Sequence, residues 1–418
     1  MAEVAAGLWA AEEVVSTGIQ AGLAGYAVSK PTVPLKATFS QLASTSDTDK
    51  GSLARSCHSL AHINKRIYIF GGLTGSNDLA TTDIHSIALP VKDSSVPDYK
   101  VSPAIPAAAD GAVPAARAEH AACALGSQLA IHGGRDSNGD LIDEGSVIWL
   151  FDTEKSTWQK IEPASHPERT PPPRRKACLL AHDGNLVLYG GVGSDGSDLT
   201  DIWHFNVQAR VWNQLPQAPV STTSAAISGD TLYLIAATDS LSNEVHHLDI
   251  NLWDQDPPTW STMRIPTNPL TPGPKPRQNG ALVPVTTGFG RNFLLYFFGE
   301  DPDVADDRNP YWSDLWTFQL PSSKPRATLS TDMAEAIKPA KIKDKVRSQV
   351  GADTGEASWA EVEVQPPNDS DQAEGKAHPG PRGLFGYDVT SDGNRVVLWG
   401  GVDAAGRLQG DGWVITLT

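Results

Sequence analysis

Cysteine is scarce in this chain. Three residues in 418, Cys57, Cys123 and Cys178, make no disulfide framework, and they lack metal-ligand spacing. All three fall in apolar segments, which reads as buried free thiols in a reducing, cytoplasmic setting. Positive charge is also in deficit. Against 49 Asp and Glu stand 33 Lys and Arg, for a net charge of −16 and a pI near 5.0. Nucleic acids and anionic membranes both call for a basic surface, so neither is an expected partner. The Ala- and Gly-rich start of the chain lacks a basic leader, and Glu3, Glu12 and Glu13 interrupt its apolar character. Those acids argue against a signal peptide and a membrane span. Val4, Leu8, Val15, Ile19, Leu23 and Tyr26 instead fall on one face of an amphipathic helix. No nucleophile elbow, phosphate-gripping glycine loop or zinc cluster is present, so no metal or cofactor is expected.

What the chain has is repetition. Ile67-Tyr68-Ile69-Phe70-Gly71-Gly72 is an apolar strand running into a double glycine. Variants return at Leu129–Gly134, Leu186–Gly191 and Val396–Gly401, with degenerate copies at Leu232–Ala237 and Leu295–Glu300. In the last of these, Gly299-Glu300 reads as a pair whose second glycine has become a carboxylate. Six copies at intervals of tens of residues indicate a repeat architecture with one shared core. Around each copy lie four strand-like runs separated by turn residues, the pattern of a propeller blade. The sixth repeat stops one strand short, and Thr38-Phe39-Ser40-Gln41-Leu42 stands unassigned near the start. This segment is expected to close the ring as the fourth strand of blade six, which removes the open sheet edges.

The expected fold is therefore all-β, a six-bladed propeller spanning 35–418 and closed by an N-terminal strand. Residues 1–34 are expected to form a helix and linker. A helical insertion in blade five, 321–356, is signalled by the Ser330-Thr331-Asp332 N-cap and by Lys338, Lys341, Lys343, Lys345 and Arg347. Both helical additions are expected on the face opposite the opening arginines. The polar stretch 366–381 reads as a flexible loop.

These residues resemble a kelch-repeat β-propeller. The likeness rests on Gly-Gly after strand two and on an Asp opening strand three (Asp83, Asp201, Asp314, Asp411). It rests also on Trp in strand four (Trp158, Trp212, Trp260, Trp359) and on Arg opening strand one at Arg55, Arg117, Arg174, Arg277 and Arg382. Repeat four lacks both the glycines and the arginine. The chain looks like a stand-alone propeller of the galactose-oxidase and kelch type, similar in architecture to nitrile-specifier-like proteins. The Glu-x-x-x-Asp-x-x-x-His iron spacing of that group is missing, so its chemistry does not carry over. Relatives among sialate mutarotases, which use a propeller mouth with Arg and acids, keep a small-molecule isomerase open.

In such a fold strand one lines the central channel, and the turn after each Gly-Gly shares a face with the start of strand one. The candidate ligand-binding residues pooled there are Arg55, His58, Arg117, Glu119, His120, Arg174, Lys176, Arg277, Asn279, Glu300 and Arg382. Arginine's planar fork suits carboxylates, which suggests a mouth that grips an anionic small molecule or an acidic peptide. Equally, recurrent Arg and His at one phase can hold the strand-three Asp of their own blade. Glu119, Lys176, Gln278 and Asn279 occupy comparable places with different chemistry, which makes them the better markers of function. The leading functional expectation is a non-catalytic binding or scaffold module for a protein or peptide partner. The alternative is an isomerase, lyase or hydrolase-like enzyme acting on a small polar or anionic molecule in an arginine-lined mouth.

Overall fold

A computed structural model describes residues 35–43, 53–75, 78–89, 98–236, 244–251, 257–265, 273–286, 291–302, 310–321, 357–366 and 378–418. Six antiparallel sheets follow one another along the chain. Blade one is Ser59–Ile63, Arg66–Phe70, Ile84–Ala88 and Tyr99–Ser102; blade two is Ala121–Leu125, Gln128–His132, Ile148–Asp152 and Thr157–Ile161. Blade three is Cys178–His182, Asn185–Val192, Asp198–Asn206 and Val211–Leu215; blade four is Ala225–Ser228, Thr231–Ile235, Glu244–Asp249 and Trp260–Arg264. Blade five is Ala281–Thr286, Asn292–Phe297, Leu315–Gln319 and Ser358–Glu361. Blade six takes Gly386–Val389, Arg395–Trp399 and Gly412–Leu417 from the end of the chain and Lys36–Ala43 from its beginning.

The N-terminal strand runs antiparallel to Gly412–Leu417, with Thr38 opposite Thr416 and Ser40 opposite Val414. The ring is thus closed as the missing fourth strand implied. One addition was not foreseen: Glu363–Val364, at the tail of blade five, pairs in parallel with Lys36 and Ala37. A similar step occurs after blade one, where Trp158 N–H donates to Ile105 O and Ala107 N–H donates to Trp158 O, both at 2.7 Å. Each connector thereby covers the outer edge of the blade that follows, where unpaired amides would otherwise invite other strands.

The continuous apolar character of strand two has a direct cause. A blade has a neighbour on each face, so both sides of the pleat must be apolar. Ile67 and Ile69 pack toward blade six with Val397, Trp399 and Val414. Tyr68 and Phe70, one residue out of phase, pack toward blade two with Leu129, Ile131, Phe151 and Trp158. The strand-four tryptophans contribute as expected: Trp158 meets Phe70 of the preceding blade at 5.2 Å, and Trp212 meets His132 at 5.9 Å. The N-terminal helix and the blade-five helix lie outside the described residues, as does most of the 366–381 loop. Among the described residues there is no α-helix, only the short 3-10 turn Pro167–Arg169.

The double glycine is an inter-blade joint. Gly71 and Gly72 have φ of +62° and +91°, and Gly72 N–H donates to Arg117 O of the next blade at 2.9 Å. A Cβ on Gly71 would sit 2.5 Å from that same Arg117 oxygen. The arrangement repeats at Gly133 against Arg174 O (2.5 Å) and at Gly400 against Arg55 O (2.6 Å). In blade five the phase is shifted from the expected one. Phe298, at φ +55°, takes the place of the first glycine, and Gly299, at +97°, takes that of the second. Glu300 therefore does not replace a glycine. It follows the pair, and it bridges Gln278 as Arg135 bridges Ala118.

Gly133→Ala is expected to cost about 2–4 kcal/mol, since it adds both left-handed strain and a collision with main chain. Gly126 has φ +59° but open space around its Cβ position, so Gly126→Ala should cost only about 1 kcal/mol. Urea midpoints of the two variants check the difference. Equal losses would mean that the joint contributes nothing beyond backbone conformation.

Candidate binding site at the channel mouth

The opening arginines do not line the mouth. Arg55, Arg117, Arg174, Arg277 and Arg382 are 0–1% exposed, and none of them borders the central channel. Their guanidinium groups are turned inward and bonded. Arg174 gives Nη1 to Gly190 O at 2.8 Å and holds both oxygens of Asp201 at 2.7 Å. Arg277 does the same with Phe298 O and Asp314, and Arg382 with Gly400 O and Asp411. In blade two the carboxylate is Glu144, which accepts from Arg117 at 3.1 and 2.8 Å. Arg55 donates to Gly71 O at 3.1 Å. A strand-three tryptophan completes each of the four carboxylate sets, its Nε1 donating to Glu144, Asp201, Asp314 or Asp411. A buried guanidinium keeps its charge only when paired and hydrogen-bonded, and Arg117, Arg174, Arg277 and Arg382 are held in that way by the repeat itself. The arginine-lined mouth is accordingly corrected: the arginines build the blades.

Two residues beyond each arginine the chain does something unusual. Cys57, Glu119, Lys176, Asn279 and Leu384 all have φ between +50° and +57°. A left-handed non-glycine residue costs roughly 1–2 kcal/mol, and five at one phase mark a built feature. Part of the cost is offset by main-chain bonds from blade to blade. Cys57 N–H donates to Leu384 O at 2.9 Å, Glu119 N–H to Cys57 O at 3.0 Å, and Lys176 N–H to Glu119 O at 2.7 Å. The result is a belt of peptide groups around the mouth. From it Cys57, Glu119, Lys176, Asn279 and Leu384 border the channel, and Thr223 of blade four, outside the left-handed set, borders it as well.

The belt is electrically uneven. At blades two and three, Glu119 accepts from Arg175 Nη1 at 2.6 Å and pairs with Arg135 Nε at 3.3 Å. Lys176 beside them makes no ion pair with any described residue, so this arc carries net positive charge. Across the mouth, Asn279 Nδ2 donates to Glu300 Oε1 at 3.1 Å, and the Tyr311 ring lies against Gly383. That arc is acidic and aromatic.

Below the belt runs a channel of about 630 Å³. Its walls are the six first strands, rich in small residues such as Ala122, Cys123, Ala181, Ala226 and Gly386. Burial lowers the His120 pKa to about 3, aided by the Arg117 charge, and holds His58 well below the ordinary histidine range. His120 Nε2 meets Ser59 Oγ at 2.9 Å. At the matching place in blade six stands Gly386, which offers His58 no hydroxyl. Burial pushes the Cys57 thiol up to about 11 and Cys178 up to about 12, and it raises Cys123 as well. At neutral pH the histidines are therefore neutral and the thiols protonated. The lining offers hydrogen bonds, apolar surface and isolated charges.

Of the sequence candidates, His58, Glu119, His120, Lys176 and Asn279 border the channel. Glu300 stands beside it through Asn279. Sequence reasoning missed Cys57, Thr223 and Leu384, although counting two residues on from each arginine would have found Cys57 and Leu384. It also missed Asp388, a carboxylate at a strand-one phase held elsewhere by Ala61, Cys123, Leu180, Ala226 and Val283.

Comparison with known proteins agrees with this architecture. Residues 57–285, more than half of the chain, match the model of the KLHDC2/KLHL20/DRC7 Kelch-repeats domain. Kelch domain-containing protein 3 of Homo sapiens is 26% identical over 223 residues, which are 49% of this chain and 55% of that protein. Adagio protein 3 of Arabidopsis thaliana is 31% identical over 200 residues, 45% of this chain and 29% of that one. The chain thus spans about half the length, or less, of the curated relatives it matches. Among solved structures, that of YjhT has a TM-score of 0.51 at 15% identity, over 87% of this chain and 97% of that one. This is a likeness of fold.

Asp201→Ala would strand the Arg174 guanidinium in the interior and is expected to cost about 3–5 kcal/mol. Burial alone would raise the carboxyl pKa values of Glu144, Asp201 and Asp314, but the hydrogen bonds and charge of their arginines outweigh it and lower all three. Their stabilisation is therefore complete above the ordinary carboxylate range, near pH 4, and is lost as pH falls through the depressed folded values. Urea midpoints from pH 2 to 7 should drop on the acid side in the parent and drop less in Asp201→Asn. A parent profile flat to pH 2 would contradict this.

Proposed function

From the premise that this chain belongs to the kelch-repeat family, we propose that it is a binding module that takes an extended peptide segment of a protein partner across its channel mouth. One observation carries the reading. The residues that recur in phase are used up in holding blades together, while the residues that differ from blade to blade, Cys57, Glu119, Lys176, Thr223, Asn279 and Leu384, stand together around one opening. A rigid frame with variable side chains is how repeat proteins present a recognition surface. The left-handed backbone of the belt holds these side chains in place before a ligand arrives, which lowers the ordering cost of binding. The positive arc at Arg135, Arg175 and Lys176 faces the acidic, aromatic arc at Glu300 and Tyr311, so a bound segment has a preferred direction.

A second reading, a small-molecule enzyme, draws on the channel itself. Its volume of about 630 Å³ falls within the range of small-ligand sites, roughly 300–1,000 Å³.

Selection of a displayed random-peptide library on the full chain tests the first reading. Selected peptides should lose at least tenfold in affinity against Lys176→Glu. They should bind Lys160→Glu as they bind the parent, because Lys160 sits on an outer strand, paired with Glu162. Peptides that ignore Lys176→Glu, or a library that yields no binder, would sink the proposal.

A further inference from the structure

Asp388 stands apart from every other residue at its level of the channel. The equivalent first-strand positions are Ala61, Cys123, Leu180, Ala226 and Val283, none of them charged. Its carboxylate is anchored, since Oδ2 accepts His62 N–H of blade one at 2.7 Å and Oδ1 accepts Val389 N–H at 2.8 Å. These bonds fix its position at the channel wall. Each carboxylate oxygen has a further lone pair beyond the bond it already accepts. Among the described residues no cationic side chain borders the channel at this level: Lys176 stands at the mouth, four residues nearer the start of its own strand, roughly 13 Å of extended chain. The titratable groups that sense Asp388 are His62, through its main chain, Cys123 and Tyr387. Burial holds His62 below the ordinary histidine range, raises the Cys123 thiol and raises the Tyr387 hydroxyl, so none of the three carries charge at neutral pH. Arg395, at the end of the strand, is committed to Asp392 at 2.8 Å.

We propose that the channel holds a cation subsite at Asp388, made for a ligand or side chain that ends in a primary ammonium on a short apolar stem. The stem fits the wall of Cys123, Leu180, Ala226 and Val283, and the ammonium donates to the carboxylate. The geometry selects cations over anions, because a negative charge fixed on the half-buried channel wall attracts a cation and repels an anion. It selects an apolar stem over a polar one, because the wall offers few other partners. Burial pushes the Asp388 pKa up to about 6, against the opposing effect of the two main-chain amides. An ammonium seated there would relieve the strain of ionisation. This subsite is separate from the mouth belt, and it stands whether or not a peptide binds there.

The test uses the full chain with n-butylammonium chloride and 1-butanol as probes, followed by NMR titration at pH 7.5. Butylammonium should bind in the channel, with butanol at least tenfold weaker, and Asp388→Asn should lose tenfold or more. Asparagine keeps an acceptor for His62 N–H, so that variant should retain the fold. As a second measurement, the Asp388 carboxyl carbon should titrate near pH 6 in the free parent and at least one unit lower when saturated with butylammonium. Affinity should weaken by up to tenfold per pH unit below the free value, as protons compete with the ammonium. Equal binding by Asp388→Asn, equal binding of butanol, or a carboxyl pKa that ignores the amine would each overturn the proposal.

Discussion

The interaction on which this structure depends is a buried guanidinium that serves three partners. The side chain of each opening arginine holds a carbonyl at the end of strand two and, in blades two, three, five and six, the carboxylate before strand three. At Arg55, Arg117 and Arg174 the main-chain oxygen also receives the second-glycine N–H of the preceding blade. One residue thereby ties strand one to strands two and three within a blade and ties that blade to its neighbour. The glycines follow from this. At Gly71 and Gly133 a main-chain oxygen 2.5 Å from where a Cβ would stand leaves no room for a side chain. The tryptophan indoles, donating to the same carboxylates, satisfy lone pairs that would otherwise be buried without a partner.

Once recurrence is assigned to construction, divergence becomes informative. The left-handed residues occupy one phase of the repeat, and their side chains run from thiol to carboxylate, ammonium, amide and isobutyl. A purely structural position would converge on glycine or asparagine, which adopt this backbone at least cost. Here only Asn279 fits that preference. The other residues bear a conformational cost and keep their chemistry, the pattern expected where side chains facing a ligand are held in advance.

Much of the fold was legible in the sequence because it rests on period. Apolar strands ending in Gly-Gly announce six blades, and a sixth repeat one strand short points to Thr38–Leu42. The fate of the arginines was legible only as one of two alternatives. Arg prefers carboxylates whether it faces a ligand or a neighbouring strand, and residue type alone does not separate the two. Glu144 escaped notice because it stands five residues before Trp149, where the other blades keep Asp two residues before Trp. Glu300 was misaligned by one position because Phe298 adopts a glycine-like φ that sequence gives no hint of. Asp388 was readable in principle, as the one acid at an apolar phase, but only after the six first strands were set in register.

Blade four shows what happens where the arginine is missing. With no clamp there, Gly190 of blade three meets only Leu199 O at 3.2 Å and Thr222 O at 3.9 Å, far looser than the 2.5 Å at Gly71 and Gly133. Hydroxyl groups take over the joint. Tyr189 of blade three donates to Val220 O at 2.6 Å and accepts from Thr222 N–H at 3.2 Å. On the other side, Ser224 Oγ reaches Gly280 O of blade five at 2.8 Å. The main-chain belt links blade six through blades one and two to blade three, and the next joints are made by side chains. These hydroxyl bonds are neutral, whereas the joint of blades two and three adds the charge-assisted Arg175–Glu119 bond, of a kind stronger by roughly a factor of two. The mouth is thus built in two parts, a stiff arc that carries Glu119 and Lys176 and a more lightly tied arc at Thr223. In the proposed binding mode, a segment gripped by charge on the first arc would meet, on the second, joints made by side-chain hydroxyls.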